Sequence, residues 1–336
     1  MKLINHFLLL LIFGCGSSLP ENDLVIDQKG ETLKPYEDIY TGPDNETGDW
    51  TKSLEQNKII PIIDEAALLN TNTSFKYSLY ALTDNQEGAA KLYKINPNTG
   101  TAVETYTLDY IKNLDRYCGL AFDNTNKIFF ATGYNQSIYV IDAASGKMIK
   151  KIDDFTQISK KISGLAYDHN ILRAASPNDS SIFQIIFKDK ANTKIDYENL
   201  KEAKISPLKL KLDSENKAVL YEAWTIASND TAIFMVDLEQ NPHLILKLNS
   251  DYSKPGYFGR YKKGIFLGLA ATSGEVFAAD YGKKRNSNRV YIFKNQYLSI
   301  DDDEYGGKNL EKIVELKDKT GEKIFGTCGL SIMPVQ

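Results

Sequence analysis

Short turns rich in Asn and Asp recur along the 336-residue chain, reading Asp84-Asn85-Gln86, Tyr134-Asn135-Gln136, Asn178-Asp179, Asn229-Asp230 and Asp280-Tyr281. Brought to one end of a fold, Asn85, Asn135, Asp179, Asp230, Asp280 and Tyr281 would form a ring of oxygen donors. That is the chemistry that holds a divalent cation such as calcium, or a polar ligand at a channel mouth. The same residue types favour hairpins whether or not anything binds, because Asn and Asp tolerate left-handed backbone geometry and close turns with their own side chains. Both readings stand on sequence alone.

Other chemistries have thinner support. Of three histidines, His6 lies in an apolar N-terminal run and His169 and His243 lie in separate turn-like segments, so neither a His-based zinc site nor a Ser-His-Asp arrangement is visible. Carboxylates are plentiful, but sequence does not show two of them at the separation glycoside hydrolysis needs. The run DDDEYGG at 301–307 lacks the alternating spacing of a calcium loop and reads as a solvated loop. Net charge is −4 with basic and acidic residues nearly matched, which provides no field for nucleic acid.

The N-terminus is organised differently from the rest. MKLINHFLLLLIFGCGSS has Lys2, an apolar run from Phe7 to Phe13, and then small residues around Cys15, the layout of a secretory signal and too short for a spanning helix. Ile-Phe-Gly-Cys resembles the lipobox of bacterial lipoproteins: Gly14 fits that pattern, while Phe13 and Ile12 depart from its usual small residue and Leu. The resemblance implies a signal at 1–14, lipid on Cys15 and a membrane-anchored protein of the bacterial cell envelope, on the periplasmic side or the cell surface. An ordinary signal peptide containing a Cys is the alternative. Residues 15–57, rich in Asp, Glu, Gly, Pro, Asn and Thr with little apolar periodicity, read as a flexible linker.

The elements that must position the turns come from a repeat. KLYKIN (91–96), SIYVID (137–142), SIFQII (181–186), AIFMVD (232–237) and RVYIFK (289–294) share an aliphatic residue followed by an aromatic one. The aromatics are Tyr93, Tyr139, Phe183, Phe234 and Tyr291, at a period typical of repeat folds. One full unit, CGLAFDNTNKIFFATGYNQSIYVIDAASGKMIKKID (118–153), divides into four β-prone runs separated by turns, a four-stranded antiparallel meander with the shared aromatic on its third strand. Gly-Leu opens units at Gly119, Gly164, Gly268 and Gly329, where inner strands would crowd one another. The unit around Phe234 has no such pair upstream, and KAVLYE or LKLKLD are its candidate inner strands.

These residues resemble the bacterial β-propeller repeat proteins of the YVTN and NHL types over about residues 75–336. The expected fold is all-β: a propeller spanning 58–336, with five blades, or six if the longer stretches near 192–207 or 295–308 hide strands. CGLSIMP at the end of the chain would supply the first strand of the blade near residue 76, so that strands from both ends share a blade and close the ring. Cys118 and Cys328 would then sit on adjacent inner strands, either bonded to each other, as export permits, or as two buried thiols. The functional expectation is a monomeric binding or scaffolding protein for a protein, a glycan or a small ligand. The alternative is a propeller enzyme, either a metal-dependent lactonase-like hydrolase or a carbohydrate-active enzyme.

Overall fold

The computed structural model describes residues 65–69, 74–84, 88–112, 114, 118–133, 137–153, 162–176, 181–187, 203–208, 223–229, 232–237, 244–249, 256–260, 266–281, 288–296 and 309–334. Strands are numbered in chain order. One sheet has the order β20 (Thr327–Pro334), β1 (Tyr77–Thr83), β2 (Ala89–Ile95), β3 (Ala102–Lys112). The second is β4 (Leu120–Asp123), β5 (Ile128–Thr132), β6 (Ile138–Asp142), β7 (Met148–Ile152). The third is β8 (Gly164–Asp168), β9 (Ile171–Ser176), β10 (Ser181–Phe187), β11 (Ala203–Leu208). The fourth is β12 (Ala223–Ser228), β13 (Ala232–Asp237), β14 (Leu244–Asn249), β15 (Gly256–Arg260). The fifth is β16 (Phe266–Ala271), β17 (Glu275–Asp280), β18 (Arg289–Lys294), β19 (Leu310–Glu315). All pairings within these sheets are antiparallel, and the whole is an all-β propeller.

Local sequence explains the hairpins. Asn96-Pro97-Asn98-Thr99-Gly100 and Asp142-Ala143-Ala144-Ser145-Gly146 build the same third-to-fourth strand turn twice. In each, the first side chain accepts a main-chain N–H, from Asn98 at 2.9 Å or from Ser145 at 2.8 Å. The glycine closes the turn with φ of 74° or 67°, a region costly for other residues. Between β8 and β9 a two-residue turn places His169 and Asn170 at φ 49° and 61°, the geometry that suits a tight hairpin.

The second and third strands are buried on both faces. β5 and most of β6 have no exposed residue, whereas the outer strand β7 is largely half-buried or exposed. A strand covered by sheets on both sides reads as a continuous apolar run rather than an alternating one, which is why IFFAT and IYVID look alike. Phe130, Leu172, Phe183 and Phe187 pack between the second and third sheets, and Leu79, Ile95, Phe277 and Ile292 between the first and fifth.

That likeness misleads in the fourth sheet. AIFMVD is its second strand rather than its third, which is LILKLN, and the inner strand is AWTIAS rather than either upstream candidate. Phe234 faces Ala227 across the pair. It therefore occupies the position held by Phe130 opposite Ala121, Phe277 opposite Ala270 and Tyr80 opposite Ser331. In the third sheet that position is Arg173, opposite Ala166 and 5% exposed. The other four repeated aromatics lie on third strands. The longer stretch at 192–207 contributes to β11, the fourth strand of its own sheet.

Candidate axial binding site

The inner strands β20, β4, β8, β12 and β16 each end their sheet. β4 lies against β8, β8 against β12, β12 against β16, β16 against β20, and β20 against β4. The main-chain N–H and C=O groups on the second edge of each are left unused by the sheet and point toward the axis.

One end of the axis is pinched. Register places Gly119, Gly164, Thr225, Gly268 and Gly329 at equivalent positions, so Thr225-Ile226 stands where the other units have Gly-Leu. A Cβ on Gly164 would lie 2.6 Å from the Thr225 Cα, and one on Gly329 would lie 3.0 Å from the Leu120 Cβ and 3.2 Å from the Cys118 carbonyl oxygen. On Gly119 it would overlap the Leu165 nitrogen. Backbones approach this closely only where side chains are missing.

Around the pinch lies a buried polar collar. Thr83, Asp84, Thr132, Ser163, Ser176, Asp280 and Thr327 are all buried there. The Gly119 N–H donates to Thr132 Oγ1 at 2.5 Å, and the Asp84 N–H to the Gly326 carbonyl at 2.9 Å. Cys118 and Cys328, both fully buried, form a disulfide with their Cα atoms 5.5 Å apart, a usual separation for such a bridge.

The sequence-predicted turn residues divide into those the structure describes and those it does not. Asp280 and Tyr281 are 2% and 7% exposed at the pinched end. The Tyr281 hydroxyl donates to Asp84 Oδ2 at 3.0 Å, joining the second-to-third strand turns of the first and fifth sheets. Asn85, Asn135, Asp179, Asp230 and Cys15 lie outside the described residues, as does His243. Because AIFMVD is a second strand, Asn229 lies between first and second strands, so strand order assigns it to the opposite end from Asp84, Asp280 and Tyr281. Asn229 is a turn-building residue: its Oδ1 accepts the Ala232 N–H at 2.8 Å and its Nδ2 donates to the Thr272 carbonyl at 2.7 Å. His169, with its side chain 69% exposed, sits 2.6 Å from Asp168 on the two-residue turn. Among the described residues no group of three or more His, Cys, Asp or Glu is arranged to hold a metal ion.

At the other end of the axis a cavity of about 80 Å³ remains between the inner strands. Leu120, Leu165, Leu269 and Leu330 line its depth, and Phe122, Tyr167, Ser228, Ala271 and Ile332, one from each inner strand, line its rim. The Ser228 Oγ is enclosed without a hydrogen-bond partner among the described residues. The Tyr167 hydroxyl reaches Asn170 Oδ1 at 3.1 Å, which leaves its ring as wall. Tyr80, opposite Ser331, is a neutral donor across the ordinary pH range, because burial, with Glu104 adding, pushes its hydroxyl up to about 12. The rim residues went unnoticed in the sequence although a signal existed: each lies two places after the repeated Leu or its equivalent. In the fourth sheet the signal is obscured because Thr225-Ile226 replaces Gly-Leu.

No family model matches the chain, and no curated protein sequence matches it. Solved structures do. A chain of a nidogen/laminin complex aligns at 12% identity and TM-score 0.45, covering 77% of this chain and 99% of that one. The β-propeller domain of Myceliophteria thermophila Cps50 (Swd1) aligns at 12% and 0.39, covering 73% and 74%. Myxococcus xanthus glutaminyl cyclase aligns at 12% and 0.34, covering 54% and 66%.

Proposed function

We propose that this chain is an exported, lipid-anchored binding protein of the cell envelope: a five-bladed propeller whose ring is closed by β20, held to a membrane through Cys15, with its recognition centre at the rim of the axial cavity. The observation that carries the reading is Ser228. Its Oγ is one of several enclosed polar atoms without a hydrogen-bond partner among the described residues, Ser176 Oγ and Thr327 Oγ1 among the others, and of these it is the one that lines the axial cavity, together with Phe122, Tyr167 and the leucines. A lining that combines leucine and aromatic side chains with the Ser228 hydroxyl suits a small neutral group carrying its own donor or acceptor. At about 80 Å³ the cavity is far below the volume of drug-sized ligand pockets. It therefore suits one group inserted from a larger partner, such as a side chain or a sugar substituent, better than a whole cofactor.

The test is a thermal-shift screen of glycans, peptides and small neutral ligands against the wild type and Ala271→Trp, which fills the rim. A ligand that stabilises the wild type and not the variant supports the reading; equal stabilisation of both overturns it. Calcium and magnesium belong in the same screen. If either stabilises the wild type but not Asp280→Asn, a cation site at the pinched end, as in the enzyme alternative, replaces it. Anchoring is tested separately by Cys15→Ala, which should move the protein from the detergent to the aqueous phase on partitioning.

A further inference from the structure

We infer that the Cys118–Cys328 disulfide is a maturation latch on the last strand: it forms by oxidative exchange once β20 has docked, and the closed fold then shields it from reductants. The inference rests on the reading that β20 closes the ring. Cys328 lies in β20, the last of the described strands, which is held in its sheet by pairing with β1, the first of them. Cys118 stands two residues before the start of β4, in a different sheet, 210 residues away. The bond thus crosses between sheets at the place where only non-covalent pairing joins the two ends.

Its surroundings make it one-way. Both cysteines are fully buried, the Cys118 carbonyl lies against Gly329, and Cys328 Sγ lies 3.7 Å from the Leu82 carbonyl. Exchange requires a thiolate to reach a sulfur atom, and both cysteines are wholly shielded from solvent among the described residues. Formation must therefore take place as β20 arrives. One protein thiolate attacks a disulfide-bearing oxidant and releases one thiol. The second protein thiolate then attacks the mixed disulfide and releases the other, so that two protein thiols are oxidised as one oxidant disulfide is reduced to two thiols. Such oxidants are available where exported proteins fold.

The experiment uses the oxidised full-length chain. Dithiothreitol in native buffer should leave both cysteines closed to a maleimide mass tag, while the same reductant in urea should open them. Hydrogen exchange should show β20 amides about tenfold or more faster in Cys118→Ser/Cys328→Ser than in the wild type, with β9 unchanged. Rapid reduction in native buffer, or β20 exchange equal in the two proteins, overturns the latch. If β20 already exchanges fast in the oxidised wild type, the closure reading itself fails. Should the double variant not fold, as β9 would report, the mass-tag arm on the wild type decides alone.

Discussion

The Tyr281 hydroxyl donates a 3.0 Å hydrogen bond to Asp84 Oδ2, a buried contact between residues 197 apart in sequence that ties the fifth sheet to the first. Tyr281→Phe keeps the ring and removes one donor from a buried carboxylate. A loss of about 1 to 3 kcal/mol in urea unfolding is expected. A loss near zero would mean that the carboxylate draws its support from other donors.

The glycine pinch predicts a graded response. Gly164→Ala forces a methyl group to within 2.6 Å of the Thr225 backbone, so the two inner strands must separate, at a cost of about 1 to 3 kcal/mol or more. Gly274 has nothing within 4 Å of its added Cβ, and Gly274→Ala should leave the melting temperature almost unchanged. Equal effects at the two sites would contradict the close approach of β8 and β12.

Phe234 is fully buried, with its ring centroid 5.1 Å from that of Phe258 and 5.6 Å from Lys247 Nζ. Phe234→Ala should cost about 3 to 5 kcal/mol, the range for deleting a large core aromatic. Tyr139, 7% exposed and 5.7 Å from the Tyr110 ring, should fall toward the lower end of that range, since it is less completely buried than Phe234. Losses under about 1 kcal/mol at both positions would refute the packing described for them.

Deleting residues from Gly326 onward removes the strand that pairs with β1 from Tyr77 to Thr83. It bares a long edge between two neighbouring sheets, so aggregation or a broadened, less cooperative melt is expected, beyond what loss of a frayed tail would produce. An unchanged melting curve would show that β20 is dispensable.

Asp153 sets a pH dependence. Hydrogen bonds from Lys151, at 2.8 Å, and then Ser137, at 2.6 Å, hold its carboxyl below the ordinary carboxylate value. A depressed folded pKa contributes stability that is complete above the unfolded value, near pH 4, and is lost as pH falls through the folded one. The side chain is 63% exposed, so Asp153→Asn should cost about 1 kcal/mol or less at pH 7. The difference between wild type and variant should vanish in titrations run well below pH 4.

The sequence by itself determined the strands and their turns. Those depend on neighbours a few residues apart: the Asn and Asp side chains that close hairpins, the glycines at positive φ in the NPNTG and DAASG turns, and the apolar runs between them. It also carried the repeat, and with it the equivalence of Gly119, Gly164, Gly268 and Gly329. It could not place Phe234, because second and third strands are both buried between sheets and so select the same apolar and aromatic residues. Only pairing with Ala227 on one side and Lys247 on the other settles which strand it occupies. Nor could it find Thr225 as the counterpart of the repeated glycines, since that position is defined by the strand it pairs with and not by what precedes it in the chain. The meeting of Tyr281 with Asp84, and the lining of one cavity by Phe122, Tyr167 and Ser228, are likewise tertiary facts. Each joins residues from different sheets, and their distance is set by how the sheets pack against one another, a quantity that no local pattern encodes.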